Sequence, residues 1–262
     1  MQDILKVEKN TDSIIRLILN DEKSGNSLSD AMISLMSSRL EEISNNEDIK
    51  VVVIASTGKI FCAGHNLKEM TEARQNNGEG KSYFTNLFQS CSDMMQSIVN
   101  CPKPVIAEID GIATAAGCQL VASCDLAIAS DTSSFATPGV NLGLFCSTPM
   151  VALSRNVKKK DAMKMLLTGE MIDAEEAKRI SLINDYVVSE KLSVEVMNLA
   201  KKIASKSMKT VNIGKSAFYK QAELSLSDAY RYTSEVMAKN IMNDDAKEGI
   251  ASFIEKRDPN WD

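Results

Sequence analysis

KPVIAEIDGIATAAGCQLVASCDLAIAS, Lys103–Ser130, is the stretch whose reading decides the fold. Pro104 to Ile109 is a short apolar run rich in β-branched residues and reads as a buried strand. After Asp110 and Gly111 the chain carries no bulky side chain from Ala113 to Gly117, and the following residues read as a helix. The first amides of a helix have no partner within it, and small residues let a ligand approach them closely. Asp125 to Ala129 then returns as a second strand, so strand, small-residue turn, helix and strand follow one another within 28 residues. That order predicts an α/β domain with largely parallel strands.

Working outward towards the N-terminus, GKIFCAGHNLKEM, Gly58–Met70, repeats the device. It follows the strand candidate Lys50 to Ala55, and its small pair Ala63 and Gly64 stands where the next amides can point outwards as donors. Two such turns brought together would form an oxyanion hole, a pair of preorganised donors for negative charge developing on a carbonyl oxygen. Ser13 to Leu19 and Leu182 to Val188 supply further strand candidates. Between the strands, Leu28 to Ile43 and Asn86 to Val99 place apolar residues at helical spacing.

After about Lys159 the strand signals nearly stop. KKDAMKMLLTG reads as a helix closed by Gly169, and Asp173 stands as the N-cap of AEEAKRI with Glu176 three residues on. Helices are expected over Lys191 to Lys206, Ile213 to Leu224, Ser227 to Ile241 and Asp244 to Lys256. The boundary falls near Val188, giving a core of residues 1–188 and a helical region 189–262 suited to a subunit interface. RQNNGEGK, Arg74 to Lys81, reads as a mobile loop.

With 262 residues, 44% apolar and 25% charged, the chain can bury a full core. A net charge of −5 makes a nucleic-acid partner unexpected. No run approaches the ~18 apolar residues of a membrane span, so no membrane association is expected either. Cys62, Cys91, Cys101, Cys118, Cys124 and Cys146 show no CxxC spacing, and the chain has one histidine, so no metal site is expected. The cysteines read as buried reduced thiols, and with no export signal in MQDILKVEKNTDSIIRLILN the expected location is cytoplasmic.

In detail the chain resembles the crotonase (enoyl-CoA hydratase/isomerase) superfamily along essentially its whole length. Its first oxyanion loop is matched by Phe61, Ala63, Gly64, His65, Asn66, Leu67, Lys68, Glu69 and Met70. Its second is matched by Lys103 to Ala107, Gly111, Ala113, Ala115, Ala116, Gly117, Cys118, Gln119, Leu120, Cys124 and Asp125. FATPGVNLGL (Phe135–Leu144), LLTGEMIDAEEAKRISLINDYV and EGIASFIEKRDPNW extend the likeness downstream. The resemblance implies an α/β crotonase-like spiral of ββα turns, with a C-terminal helical trimerisation region that assembles trimers or dimers of trimers. It implies that the backbone amides of His65 and Ala116 hold a thioester oxygen, and that Lys23, Ser24, Ser27, Ala63 and Leu67 lie along coenzyme A. Coenzyme A enters only as part of the substrate, an acyl-CoA thioester; no separate cofactor is implied.

The two glutamates that a family hydratase sets around one water fall, by motif, on Gln119 and Gly139. Neither can do general acid–base work, and each such role is worth roughly a hundred- to ten-thousand-fold. Three expectations remain open: weak hydratase-like chemistry, decarboxylation of a malonyl-type thioester, or acyl-CoA binding without catalysis. The candidate substitutes for the glutamates are His65, an imidazole able to titrate near neutrality, Glu69 and Cys146. Ser147 or Thr148 is expected to cap a helix opening at Pro149. Asp125 and Asn141 read as structural.

Overall fold

The computed structural model describes residues 3–9, 13–75 and 80–261. Among these residues ten strands fall into two sheets. The larger one takes β1 (Leu5–Lys9), β2 (Ile14–Leu19), β3 (Val51–Ser56), β5 (Val105–Ile109), β7 (Leu126–Ser130) and β10 (Asp185–Val187), in that spatial order. The smaller takes β4 (Ile60–Cys62), β6 (Ile112–Thr114), β8 (Ser134–Ala136) and β9 (Ile172–Asp173). The pairs β3/β4, β5/β6 and β7/β8 each place one strand in either sheet, which is the spiral of ββα turns. Pairing is parallel except at β1 and β9, the antiparallel strands that close each sheet.

β3 reads VVVIAS because it lies between β2 and β5 with both faces covered. On one face pack α1 (Asp30–Ser44), α3 (Gly80–Asn100) and α4 (Ala116–Ser123); on the other lies α8 (Ser189–Ala204). α1 buries Met32, Ile33, Met36, Leu40 and Ile43 at helical spacing, and the Ser29 side chain caps it by accepting from the Met32 amide at 3.1 Å.

The remaining helices are α2 (Leu67–Gln75), α5 (Pro149–Asn156), α6 (Lys159–Thr168), α7 (Ala174–Arg179), α9 (Met208–Ala222), α10 (Leu226–Ile241) and α11 (Asp244–Glu255). α6 ends on Gly169 in the left-handed region, and Asp173 caps α7 by accepting from the Glu176 amide at 2.8 Å. Several expected bounds shift. The strand expected over Leu182 to Val188 shortens to β10, because Leu182 and Ile183 turn into the core behind α7. The helix expected from Ile213 starts at Met208, where Ser207 accepts from the Thr210 amide. Thr148 stands at the N-cap of α5 ahead of Pro149, but no side-chain cap bond forms there. Of the loop expected over Arg74 to Lys81, Arg74 and Gln75 end α2, Gly80 and Lys81 open α3, and 76–79 lie outside the described residues.

The C-terminal helices are held to the core by a buried clasp. Lys215 on α9 donates to Asp125 at 2.6 Å and to the carbonyls of Ile98 and Lys103, while Tyr219 donates to Asp125 at 2.8 Å. Asp125 also accepts from the Val105 amide at 2.7 Å, which is the structural role expected of it. Among the described residues, no helix is long and apolar enough to cross a membrane.

Candidate active site

The two small-residue turns meet. β4 and β6 pair in parallel, Ile60 with Ile112 and Cys62 with Ala113, and Thr114 Oγ1 donates to the Ala63 carbonyl at 3.1 Å. This sets Gly64 against the start of α4: a Cβ on Gly64 would stand 3.1 Å from the Ala116 nitrogen and 3.0 Å from the Ala115 Cβ, and its φ of +92° is open to glycine. Gly117 is tighter still, since its Cβ would lie 2.0 Å from the Cys62 carbonyl oxygen. Ala115 holds φ +51° and ψ −117°, an unusual backbone for a residue with a side chain. The bend turns the chain into α4, whose eight residues are all buried. Among the described residues, neither the His65 nor the Ala116 amide is spent on a backbone hydrogen bond.

The turn at residues 21–28 packs on the same loop. Ala63 donates to the Gly25 carbonyl at 3.0 Å, and Leu28 donates to the Gly64 carbonyl at 2.7 Å, leaving Leu28 and His65 bridged. Lys23 is exposed on this turn; Ser24 is half-buried and donates to Asp21 at 2.6 Å; Ser27 is buried with an unpartnered hydroxyl. Leu67 is exposed at the mouth of the loop. Lys23, Ser24 and Ser27 thus sit on a turn hydrogen-bonded to the loop that carries Ala63 and leads into Leu67. Asn26, which sequence reasoning missed, anchors it. Its side chain donates to the Thr57 and Ile60 carbonyls at 2.8 and 2.7 Å and accepts from the Asp21 amide. The Gly-Asn pair in SGNSLS is the signal for such a turn, since asparagine tolerates the φ of +51° found there.

The His65 ring packs edge-on against Phe88 of α3 at 5.4 Å, and Phe88 stacks on Phe84. Both ring nitrogens are sealed from solvent. Burial lowers the imidazole pKa, with the Leu28 carbonyl and the Asp30 charge opposing more weakly; the ring is a neutral packing group. This aromatic wall was not legible in the sequence, where nothing sets Phe84 and Phe88 apart from the other apolar residues around them.

The other two substitutes are engaged elsewhere. Glu69 accepts from the Asp30 amide and from Asn66 Nδ2, both at 3.2 Å, so its carboxylate braces α2 on the N-terminus of α1. Cys146 is buried, and burial raises its thiol pKa against the pull of the Gly139 amide. Its sulfur fills the space beside Gly139: a Cβ there would meet the Leu144 carbonyl at 2.8 Å and Cys146 Sγ at 2.9 Å. Gly139 itself has an ordinary φ and is buried. Gln119, one turn along α4, is buried with its Oε1 unpartnered. Asn141 is exposed beside Gly169. Among the described residues, no group of three or more His, Cys, Asp or Glu side chains could hold a metal ion.

Two interleaved sheets of ββα turns, with a helix N-terminus opposed to a glycine loop, define the crotonase fold. The enoyl-CoA hydratase/isomerase family model matches residues 9–262, and the chain belongs to that family. It is 50% identical to the rat (Rattus norvegicus) mitochondrial enoyl-CoA hydratase domain-containing protein 3, over 95% of this chain and 82% of the relative. The crystal structure of human enoyl-CoA hydratase domain-containing protein 3 superposes with a TM-score of 0.93 at 46% identity, covering 98% of this chain and all of that one. An enoyl-CoA hydratase from Mycobacterium smegmatis gives 0.95 at 42% identity, covering 99% of each. The cytoplasmic expectation is corrected: the rat, mouse, human and Dictyostelium relatives are all named as mitochondrial. Buried unpaired thiols argue against an oxidising compartment, but they do not separate the cytosol from an organelle that keeps thiols reduced.

Proposed function

We propose that the protein binds acyl-CoA thioesters and stabilises an enolate on the thioester oxygen through the backbone amides of His65 and Ala116. The observation that carries this is the packing of Gly64 on the first residue of α4, with both amides free of backbone partners. Preorganised donors act on charge as it develops and cost no reorganisation, each being worth about 3–4 kcal/mol. Lys23, Ser24, Ser27, Ala63 and Leu67 would line the coenzyme A moiety, and no further cofactor is invoked.

Efficient water addition does not belong to this reading. Gln119 has no proton to exchange, Gly139 has no side chain, His65 is packed as a neutral ring and Glu69 is committed to α1. The reaction is one needing an enolate and no glutamate pair, and the relatives named as mitochondrial support a mitochondrial location for it. Self-association as a trimer or dimer of trimers is supported by the apolar side chains exposed on α9 to α11, among them Phe218, Leu226, Tyr230, Met237, Phe253 and Ile254.

Calorimetry tests the binding: butyryl-CoA should bind at least tenfold tighter than butyrate or free coenzyme A. Equal affinity for all three would sink the assignment. Crotonyl-CoA hydration by the unmodified protein at rates typical of a glutamate-bearing hydratase would overturn the roles given to Gln119 and Gly139.

A further inference from the structure

We propose that Gln119 is a specificity-determining residue whose side-chain amide recognises a carboxylate on the acyl group, so that the favoured thioesters are carboxyacyl-CoA esters of the malonyl or succinyl type. This rests on the thioester reading above and adds the chemistry of the acyl group.

The side chain of Gln119 is 5% exposed and makes no hydrogen bond to any described residue. Its main chain is fully engaged, the amide donating to the Ala115 carbonyl at 3.1 Å and the carbonyl accepting from Ser123 Oγ at 2.8 Å. A primary amide carries two donors and an acceptor, and burying it unpaired costs free energy unless something arrives to meet it. With no hydrogen bond to fix its orientation, the amide is free to present its NH2 to a ligand. What it offers is a hydrogen-bond donor.

Position and charge say what that donor meets. Gln119 lies three residues past Ala116 on α4, hence on the same helical face as the residue whose amide is the second donor of the proposed hole. Helical side chains lean towards the N-terminus, so the side chain of Gln119, fourth of the eight residues of α4, is inclined towards the positive end of the helix dipole, which favours an anion. Gly139 adds no side chain, the Cys146 thiol beside it is kept protonated by burial, and the Glu69 carboxylate is turned onto α1. An acyl carboxylate at the Gln119 amide meets a neutral donor where a glutamate would present a negative charge. A glutamate at 119 would repel it, while glutamine, with the same length and shape, binds it.

Calorimetry of malonyl-CoA and succinyl-CoA against butyryl-CoA tests the proposal. The unmodified protein should bind the better carboxyacyl ester at least tenfold tighter than butyryl-CoA. In Gln119→Leu the ratio should collapse to within threefold, and in Gln119→Glu it should invert; Gln119→Met provides the same arm should the leucine variant not fold. A wild-type ratio near one, or a ratio that survives both apolar substitutions, overturns the proposal while butyryl-CoA binding leaves the thioester reading intact. Binding of none of the three esters removes both.

Discussion

α4 and α11 are both short helices rich in small and apolar residues, and they are finished in opposite ways. Every residue of α4 is buried, its walls supplied by β4, β6 and α5 of the same chain. α11 buries Ser252 alone among its twelve residues and leaves Phe253 84% exposed. The first helix is complete within the chain, its start held against the Gly64 loop and Gly117 against the Cys62 carbonyl. The second carries an apolar face that one subunit does not cover.

The sharpest way to break this comparison is at Gly117. Any Cβ there would overlap the Cys62 carbonyl, a backbone atom that cannot swing aside, so Gly117→Ala should cost more than about 4 kcal/mol or prevent folding. A chemical denaturation midpoint close to that of the unmodified protein would show that α4 can move away from β4. Next comes the clasp between the two regions. Asp125→Ala leaves the Lys215 ammonium buried against carbonyls alone, and the expected loss is about 3–5 kcal/mol. The double variant Asp125→Ala with Lys215→Met should recover much of it, and failure to recover would mean that Tyr219 and the Val105 amide carry the clasp instead.

On the uncovered side, Phe253→Glu with Leu226→Glu should leave subunit stability within about 0.5 kcal/mol, as surface changes do, yet lower the mass seen by sedimentation at micromolar concentration. An unchanged mass would place the interface elsewhere. The smallest effect concerns His65. Burial lowers its pKa in the folded protein below the ordinary 6.5, so the unfolded chain takes up the proton first. Stability should be fully present above about pH 6.5 and fall as pH drops towards the folded pKa. His65→Phe should flatten that decline in melting temperature, and an identical slope in both proteins would remove the imidazole from the account.

Much of the site was readable because its parts are local. The small-residue turns at Ala63–Gly64 and Ala113–Gly117, the strands before them and the N-cap Asp173 all follow from short-range chemistry. β4, β6 and β8 were not readable, since strands of three residues are too short to show an alternation. They are nevertheless the strands that bring the two turns together. Glu69 looked available as a base because sequence does not show that it reaches Asp30, 39 residues away. Lys215 and Asp125, 90 residues apart, were invisible as a pair for the same reason.

By itself the sequence determined the succession of strand, small turn and helix, and the absence of a carboxylate at positions 119 and 139, because both are properties of residue type and order. Only the tertiary structure decided what took the place of the second carboxylate. Gly143 turns the chain at φ +72°, Leu144 donates back to the Gly139 carbonyl at 2.9 Å, and the Leu144 carbonyl and Cys146 sulfur come to rest where a side chain at 139 would begin. That filling depends on how a reversed segment packs onto its own start, and packing between segments is set by the three-dimensional neighbours that close-packing selects.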